Sequence, residues 1–317
     1  MVPVPLILCL FWYGSQFGFN LDSVPRINPD EAGYTSAGWS LLTVGRLGTS
    51  MYSGILAMDE RNYIGNPGLA VLATIPFALF GVDLVGLRLM AGVFGAVLLG
   101  GIWQLSVTVA KVEGIPHPRV AGGLACMLAL VHPILFEISR FARPEVAVAA
   151  FSVWSSVFAL RGWRPGASWR WHLAAGASAG LAFEMHYIAV ATVASLAVGA
   201  VAMGWHQRDR LRGALLWTAF GVAIGIAPFV WWIAQDPGEF WQQAQAQAVH
   251  QASRFPGSNL ASSAFNELPG RYLISRRDQP EGWWFGNDLG EMFEHATTTP
   301  GQAVRATERG EGGRLVS

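Results

Sequence analysis

The sequence predicts an all-α protein, a polytopic bundle of about seven transmembrane helices with one further helix at the membrane surface. Three observations carry that expectation. Hydrophobic residues make up 52% of the 317-residue chain and charged residues 13%, about half the charge of an ordinary soluble domain. Formal charge is absent from 1–21, 89–110, 120–136, 146–160, 185–207 and 213–235, and several of these windows reach the roughly 20 residues needed to cross a bilayer. The charges that remain sort by side.

Residues 1–21 lack the basic start and small-residue cleavage pattern of a signal peptide, so they read as a retained first span. The stretch 22–66, with five acids against three bases, reads as the first external loop. Segment 67–81 opens on Pro67, a favoured first helical position, and contains Pro76. Parity with the later spans makes it a juxtamembrane helix rather than a crossing. The loops 111–119, 161–170 and 206–212 carry net charges of +1, +3 and +2, which places them in the cytoplasm. A single helix over 171–205 would be about 52 Å long. Two short helices meeting near Glu184–Tyr187 on the outer side avoid that length, and 213–235 then runs outward. Small residues at Gly176, Gly180, Gly221 and Gly225 allow close helix approach. Residues 1–235 thus form the transmembrane unit, 236–296 an external polar tail with a helix at 239–254, and 297–317 a disordered end.

Several function classes are excluded. A net charge of zero with no basic face argues against nucleic acid. Cys9 and Cys126 lie in apolar runs, which leaves no disulfide framework or thiolate metal site. There is no G-x-G-x-x-G, P-loop, H-E-x-x-H or nucleophile elbow.

The residues able to carry chemistry cluster near the predicted outer face. The adjacent acids Asp30 and Glu31 follow the first span. Either could act as a general base toward a hydroxyl or bind a divalent cation, or Asp30 could simply cap a helix. In ISRFARPEV, Arg143 could hold a phosphate or pair with a neighbouring acid. Glu145 lies in the first turn of a helix begun by Pro144, where a carboxylate is stabilised without any further role. Glu184 and His186 fall at the turn between two short spans. His186 could donate to a phosphate or pack as a neutral ring against Tyr187. Segment 52–66, with Asp59, Glu60, Arg61 and Tyr63, could line an acceptor or phosphate site.

The acidic pair after the first span, the segment through Asn66-Pro67-Gly68 into LFGVDLVGLRL, and the R-x-A-R-P-E run resemble the C-type (GT-C-like) membrane glycosyltransferases. The nearest relatives are the protein mannosyltransferases and lipid A aminoarabinose transferases. The resemblance covers roughly residues 20–235 and implies a bacterial plasma-membrane enzyme with its active site outside. Such an enzyme transfers a sugar from a polyprenyl-phosphate donor, with inversion, to a hydroxyl-bearing glycan, lipid or protein. It implies catalytic roles for Asp30, Glu31 and Glu145, with Asp30 as the base or its orienter. Donor-binding roles fall to Arg61, Asn66, Arg143 and His186, and Asp30 with Glu145 would be the ligands if Mg²⁺ or Mn²⁺ takes part. Asn-Pro-Gly stands where relatives carry Lys-Pro-Pro, so Arg61, Arg143 or His186 must supply the missing cation. Relatives have further spans, so the chain is expected to be a piece of a longer protein. A transporter, and a non-catalytic member of the same superfamily, are the competing readings. A transporter predicts mid-membrane charges and repeated halves.

Overall fold

The computed structural model describes residues 4–17, 21, 29–49, 51, 56–63, 67–132, 135, 138–205 and 207–254. The described residues form an all-helical bundle. Its elements are α1 (Val4–Phe17), α2 (Pro29–Val44), α3 (Pro67–Phe80), α4 (Leu84–Val112), α5 (Pro118–Val131), α6 (Pro144–Gly162), α7 (Arg170–Met185), α8 (Val190–Gly204), α9 (Arg208–Gln235) and α10 (Pro237–Arg254). The expected 297–317 segment and the tail beyond 254 lie outside the described residues.

Among the described residues, four stretches are long and apolar enough to span a membrane: α4, α6, Tyr187–Gly204 and α9. The apolar helices α1, α3 and α5 are shorter, at 14 residues each, or about 21 Å. Among the described residues, α1 and α5 are shorter than the uncharged windows that contain them. In α5 the reason is local: His132 is extended (φ −76°, ψ 112°), as a residue preceding proline should be, and Pro133 follows. The predicted break in 171–205 is present. The helix ends at Met185, His186 is extended (φ −164°), and a turn at Tyr187–Ala189 leads into α8.

Helix α4 packs against α5 and α6, and α7 lies between α6 and α9. The α7–α9 contact is built on small residues. A Cβ on Gly180 would come within 2.7 Å of the Gly225 Cα, and one on Gly176 would strike the Thr218 carbonyl. No hydrophobic force drives helices together in lipid, so this backbone proximity is what holds the pair. Pro228 lies inside α9, and a proline cannot donate its rung of the helix ladder. Buried Glu184 accepts the neighbouring Phe229 N–H at 2.7 Å. The acid that stood between apolar runs is thereby used in helix packing.

At the end of the bundle that holds the α4 and α6 N-termini, one buried ion pair ties four segments. Arg88 and Glu31 are both fully buried. The Arg88 Nε and Nη2 donate to Glu31 Oε1 and Oε2 at 3.0 and 2.9 Å, and Nη1 donates to the Leu21 carbonyl at 2.8 Å. Glu31 Oε1 also accepts the Ala142 N–H at 3.0 Å. A second tie fixes α10. Buried Gln243 donates to the Leu56 and Arg61 carbonyls at 2.9 and 2.8 Å and accepts the Tyr63 N–H at 2.8 Å. The polar helix expected after the last span is thus clamped onto the 56–63 segment.

Candidate functional site

Asp30 and Glu31 occupy the first turn of α2, and neighbouring residues on a helix point about 100° apart. Glu31 turns inward to Arg88. Asp30 turns outward, its side chain 55% exposed. The same division occurs on the opposing loop, where the Ala142 amide bonds Glu31 and the next residue, Arg143, reaches Asp30. Arg143 is extended (φ −120°, ψ 158°) because Pro144 follows. Its Nη2 lies 3.4 Å from Asp30 Oδ2 and 2.5 Å from Glu145 Oε1. Glu145 stands in the first turn of α6, where the helix N-terminus favours its charge. Pairs this accessible contribute at most about 1 kcal/mol. They matter here as geometry, because one guanidinium holds two carboxylates in a fixed relation.

His186, at the C-terminal end of α7, forms the other wall. Its Nε2 is 3.4 Å from the Tyr34 hydroxyl, and its ring stacks obliquely on Tyr187 with centroids 4.2 Å apart. The Ile188 N–H donates to Nδ1 at 3.3 Å, which assigns the ring proton to Nε2, facing Tyr34. Tyr34 lies one turn beyond Asp30. Burial, reinforced by the negative charges of Glu145 and Asp30, pushes its hydroxyl up to about 12, so it remains a hydrogen-bond donor at neutral pH. The start of α3 closes against this wall: a Cβ on Gly68 would approach the Glu184 carbonyl to 2.5 Å. Close backbone approach therefore explains glycine, rather than a second proline, after Pro67.

Burial first, and the Arg143 charge second, hold His186 down from its ordinary 6.5 to about 4. The ring is neutral at pH 7. It can donate a hydrogen bond but cannot replace the missing cation. The pH dependence follows with a definite sign. The unfolded chain takes up this proton below about pH 6.5, whereas the folded protein refuses it until about pH 4. The contribution is complete above pH 6.5 and is lost as pH falls through that window, on the order of 3 kcal/mol in total. The thermal midpoint of the wild type in detergent should therefore drop further between pH 7 and pH 4 than that of His186→Gln. Equal drops would place the acid sensitivity elsewhere.

Arg61 belongs to a different group. Its guanidinium lies over the Trp232 ring at 5.8 Å, and a hydrogen bond with the Tyr63 side chain raises its pKa. Tyr63 packs on Trp232 and Phe240 with centroids 5.5 and 5.8 Å away. No described contact joins Arg61 to Asp30 or Glu145. Asn66 lies outside the described residues. Of the expected donor-binding residues, the structure brings Arg143 and His186 to the carboxylates. Glu31 adjoins the site without facing it.

Among the described residues, no group of three or more His, Cys, Asp or Glu side chains converges as a metal site. The Asp30–Glu145 pair does not fit a divalent ion in this arrangement, because the Arg143 guanidinium occupies the position between the two carboxylates that the ion would need.

What these groups can do together is accept a proton at an exposed carboxylate, offer a fixed cation to an anion, and donate a neutral hydrogen bond from Tyr34, whose hydroxyl the His186 Nε2–H orients. A family model described as Dolichyl-phosphate-mannose-protein mannosyltransferase matches residues 65–232, more than half of the chain. No curated protein and no solved structure matches it.

Proposed function

The chain belongs to the dolichyl-phosphate-mannose-protein mannosyltransferase family, a family of membrane glycosyltransferases, and from that premise we propose a specific reaction for it. A sugar passes from a polyprenyl-phosphate donor to an acceptor hydroxyl at the outer face of a bacterial plasma membrane, with inversion at the anomeric carbon. The acceptor is a glycan, a lipid or a protein. The observation that carries this reading is the meeting of Asp30 and Glu145 on Arg143, beside Tyr34 and His186, at one end of the bundle.

The acceptor oxygen attacks the anomeric carbon from the side opposite the phosphate. The bond from that carbon to the phosphate oxygen breaks, and polyprenyl phosphate leaves as a stable anion that needs no proton. The acceptor proton goes to Asp30, whose exposure lets it return that proton to water. Arg143 has five N–H donors and can hold the departing phosphate while it keeps Asp30 and Glu145. Stabilising charge as it develops is where a pre-positioned cation has most effect. Glu145 fixes the guanidinium, and Tyr34 supplies a neutral donor to the sugar or phosphate, its hydroxyl oriented by the His186 Nε2–H that it accepts. Glu31 acts through Arg88 and Ala142 as a positioning residue. Asp30 precedes the matched stretch, so its role rests on geometry.

A transporter would need ionisable groups at mid-span. Here the charged groups stand at helix ends, and Glu184 and Arg88 are satisfied internally.

The test is transfer of radiolabelled mannose from a polyprenyl phosphate by the purified chain in liposomes. Hydroxyl-bearing peptides and glycans serve as acceptors. Label moving to an acceptor supports the reading, and donor binding without transfer to any acceptor opposes it. With Arg143 between the carboxylates, EDTA should leave the rate within twofold. A rate abolished by EDTA and restored by Mg²⁺ or Mn²⁺ would return Asp30 and Glu145 to the role of metal ligands.

A further inference from the structure

The opposite end of the bundle holds a second charged feature, which the transfer reaction does not use. Lys111 at the end of α4, Arg161 at the end of α6 and Arg164 in the following turn line one cavity of about 390 Å³. Arg161 lies sixteen residues along α6 from Glu145, or about 24 Å by the helical rise. The cavity wall includes Gln104, Thr108 and Trp171. Arg161 is held in place: its Nη2 donates to Gln104 Oε1 at 2.9 Å, and its guanidinium lies over the Trp171 ring at 5.1 Å.

Among the described residues, no acid lines this cavity, and none of its three cations has a carboxylate partner. Three positive charges drawn to one concavity repel each other, and an anion entering it relieves that repulsion. Guanidinium and ammonium groups with a fixed polar neighbour suit phosphate oxygens. The residues around the cavity also have the character of headgroup depth. Arg161 and Lys111 end apolar helices, and Trp163, Trp169 and Trp171 gather at the same turn, where amphipathic rings favour headgroups. An excess of basic residues in short loops is expected from topology alone, but topology does not require them to converge on a cavity without acids.

We propose that this cavity is an anion site that binds a phosphate ester at the face carrying the basic loops. The phosphate comes from an anionic phospholipid headgroup or from a soluble phosphate ester. The site is separate from the carboxylate cluster, so its loss should not depend on whether sugar transfer is observed.

Native mass spectrometry of the purified chain with equimolar phosphatidylglycerol and phosphatidylcholine tests this. Phosphatidylglycerol should be retained preferentially. The Lys111→Gln/Arg164→Gln variant should lower its occupancy at least tenfold, and Lys111→Arg/Arg164→Lys should keep it. Arg208→Gln/Arg212→Gln removes the same charge from a neighbouring loop and should change occupancy less than twofold. Adduct that persists in millimolar glycerol 3-phosphate identifies the lipid as the source. Displacement with binding of glycerol 3-phosphate itself identifies a soluble ester. Equal losses in the two glutamine variants would reduce the site to diffuse surface charge and overturn the proposal. So would no preference for phosphatidylglycerol together with no binding of glycerol 3-phosphate.

Discussion

Asp30→Asn should lower kcat for sugar transfer by about 10²–10⁴-fold, the range a positioned general base supplies, with little change in donor KM. The asparagine side chain is nearly isosteric and can still face Arg143, but it cannot accept the acceptor proton. Stability should hardly move. The Asp30 side chain is 55% exposed, and a pair that accessible adds at most about 1 kcal/mol. Asp30→Glu should retain part of the rate, because the base is kept at a displaced position. Arg143→Gln should behave differently, weakening donor binding as well as slowing transfer, since the cation toward the leaving phosphate is lost. An Asp30→Asn protein that turns over at the wild-type rate would remove Asp30 as the base and leave Glu145 as the candidate.

Much of this architecture was legible because lipid imposes simple rules. Uncharged windows marked the helices, and a 35-residue run interrupted by Glu184, His186 and Tyr187 had to turn back. Helix parity then put Asp30, Arg143, Glu145 and His186 at one end, where the structure places them. What stayed hidden depended on partners far away in sequence. Nothing local distinguishes Asp30 from Glu31. Their division follows from Arg88, 57 residues further on, and the available signal was an arginine one turn inside an apolar helix, which must find an acid. Arg61 offered itself as a phosphate ligand until Gln243, 182 residues away, fixed its backbone in another cluster. His186 was readable both as a donor to phosphate and as a neutral ring against Tyr187, and the choice between them needed the burial and the Arg143 charge that only the folded chain supplies. Tyr34 was readable as part of an amphipathic run, but its place beside His186 needed α7 to end where it does.

Breaking the Glu31–Arg88 pair should have the largest effect on stability. Arg88→Leu strands a carboxylate that is fully buried, and Glu31→Leu strands a buried guanidinium. Removing one partner of such a pair typically costs about 3–5 kcal/mol, so either variant should insert yet unfold in detergent at a much lower temperature. The double variant Glu31→Leu/Arg88→Leu should recover much of the loss, because no unpaired charge remains, and the double-mutant cycle should give a large coupling. Transfer separates this brace from ordinary packing. Without Glu31 the Ala142 amide loses its acceptor, and Arg143, the next residue, loses the register that brings it to Asp30. The double variant should therefore fold while keeping a raised donor KM and a reduced kcat. Recovery of both stability and wild-type kinetics would show that the pair only fills space. Stability losses below about 1 kcal/mol in each single variant would show that the charges find other partners.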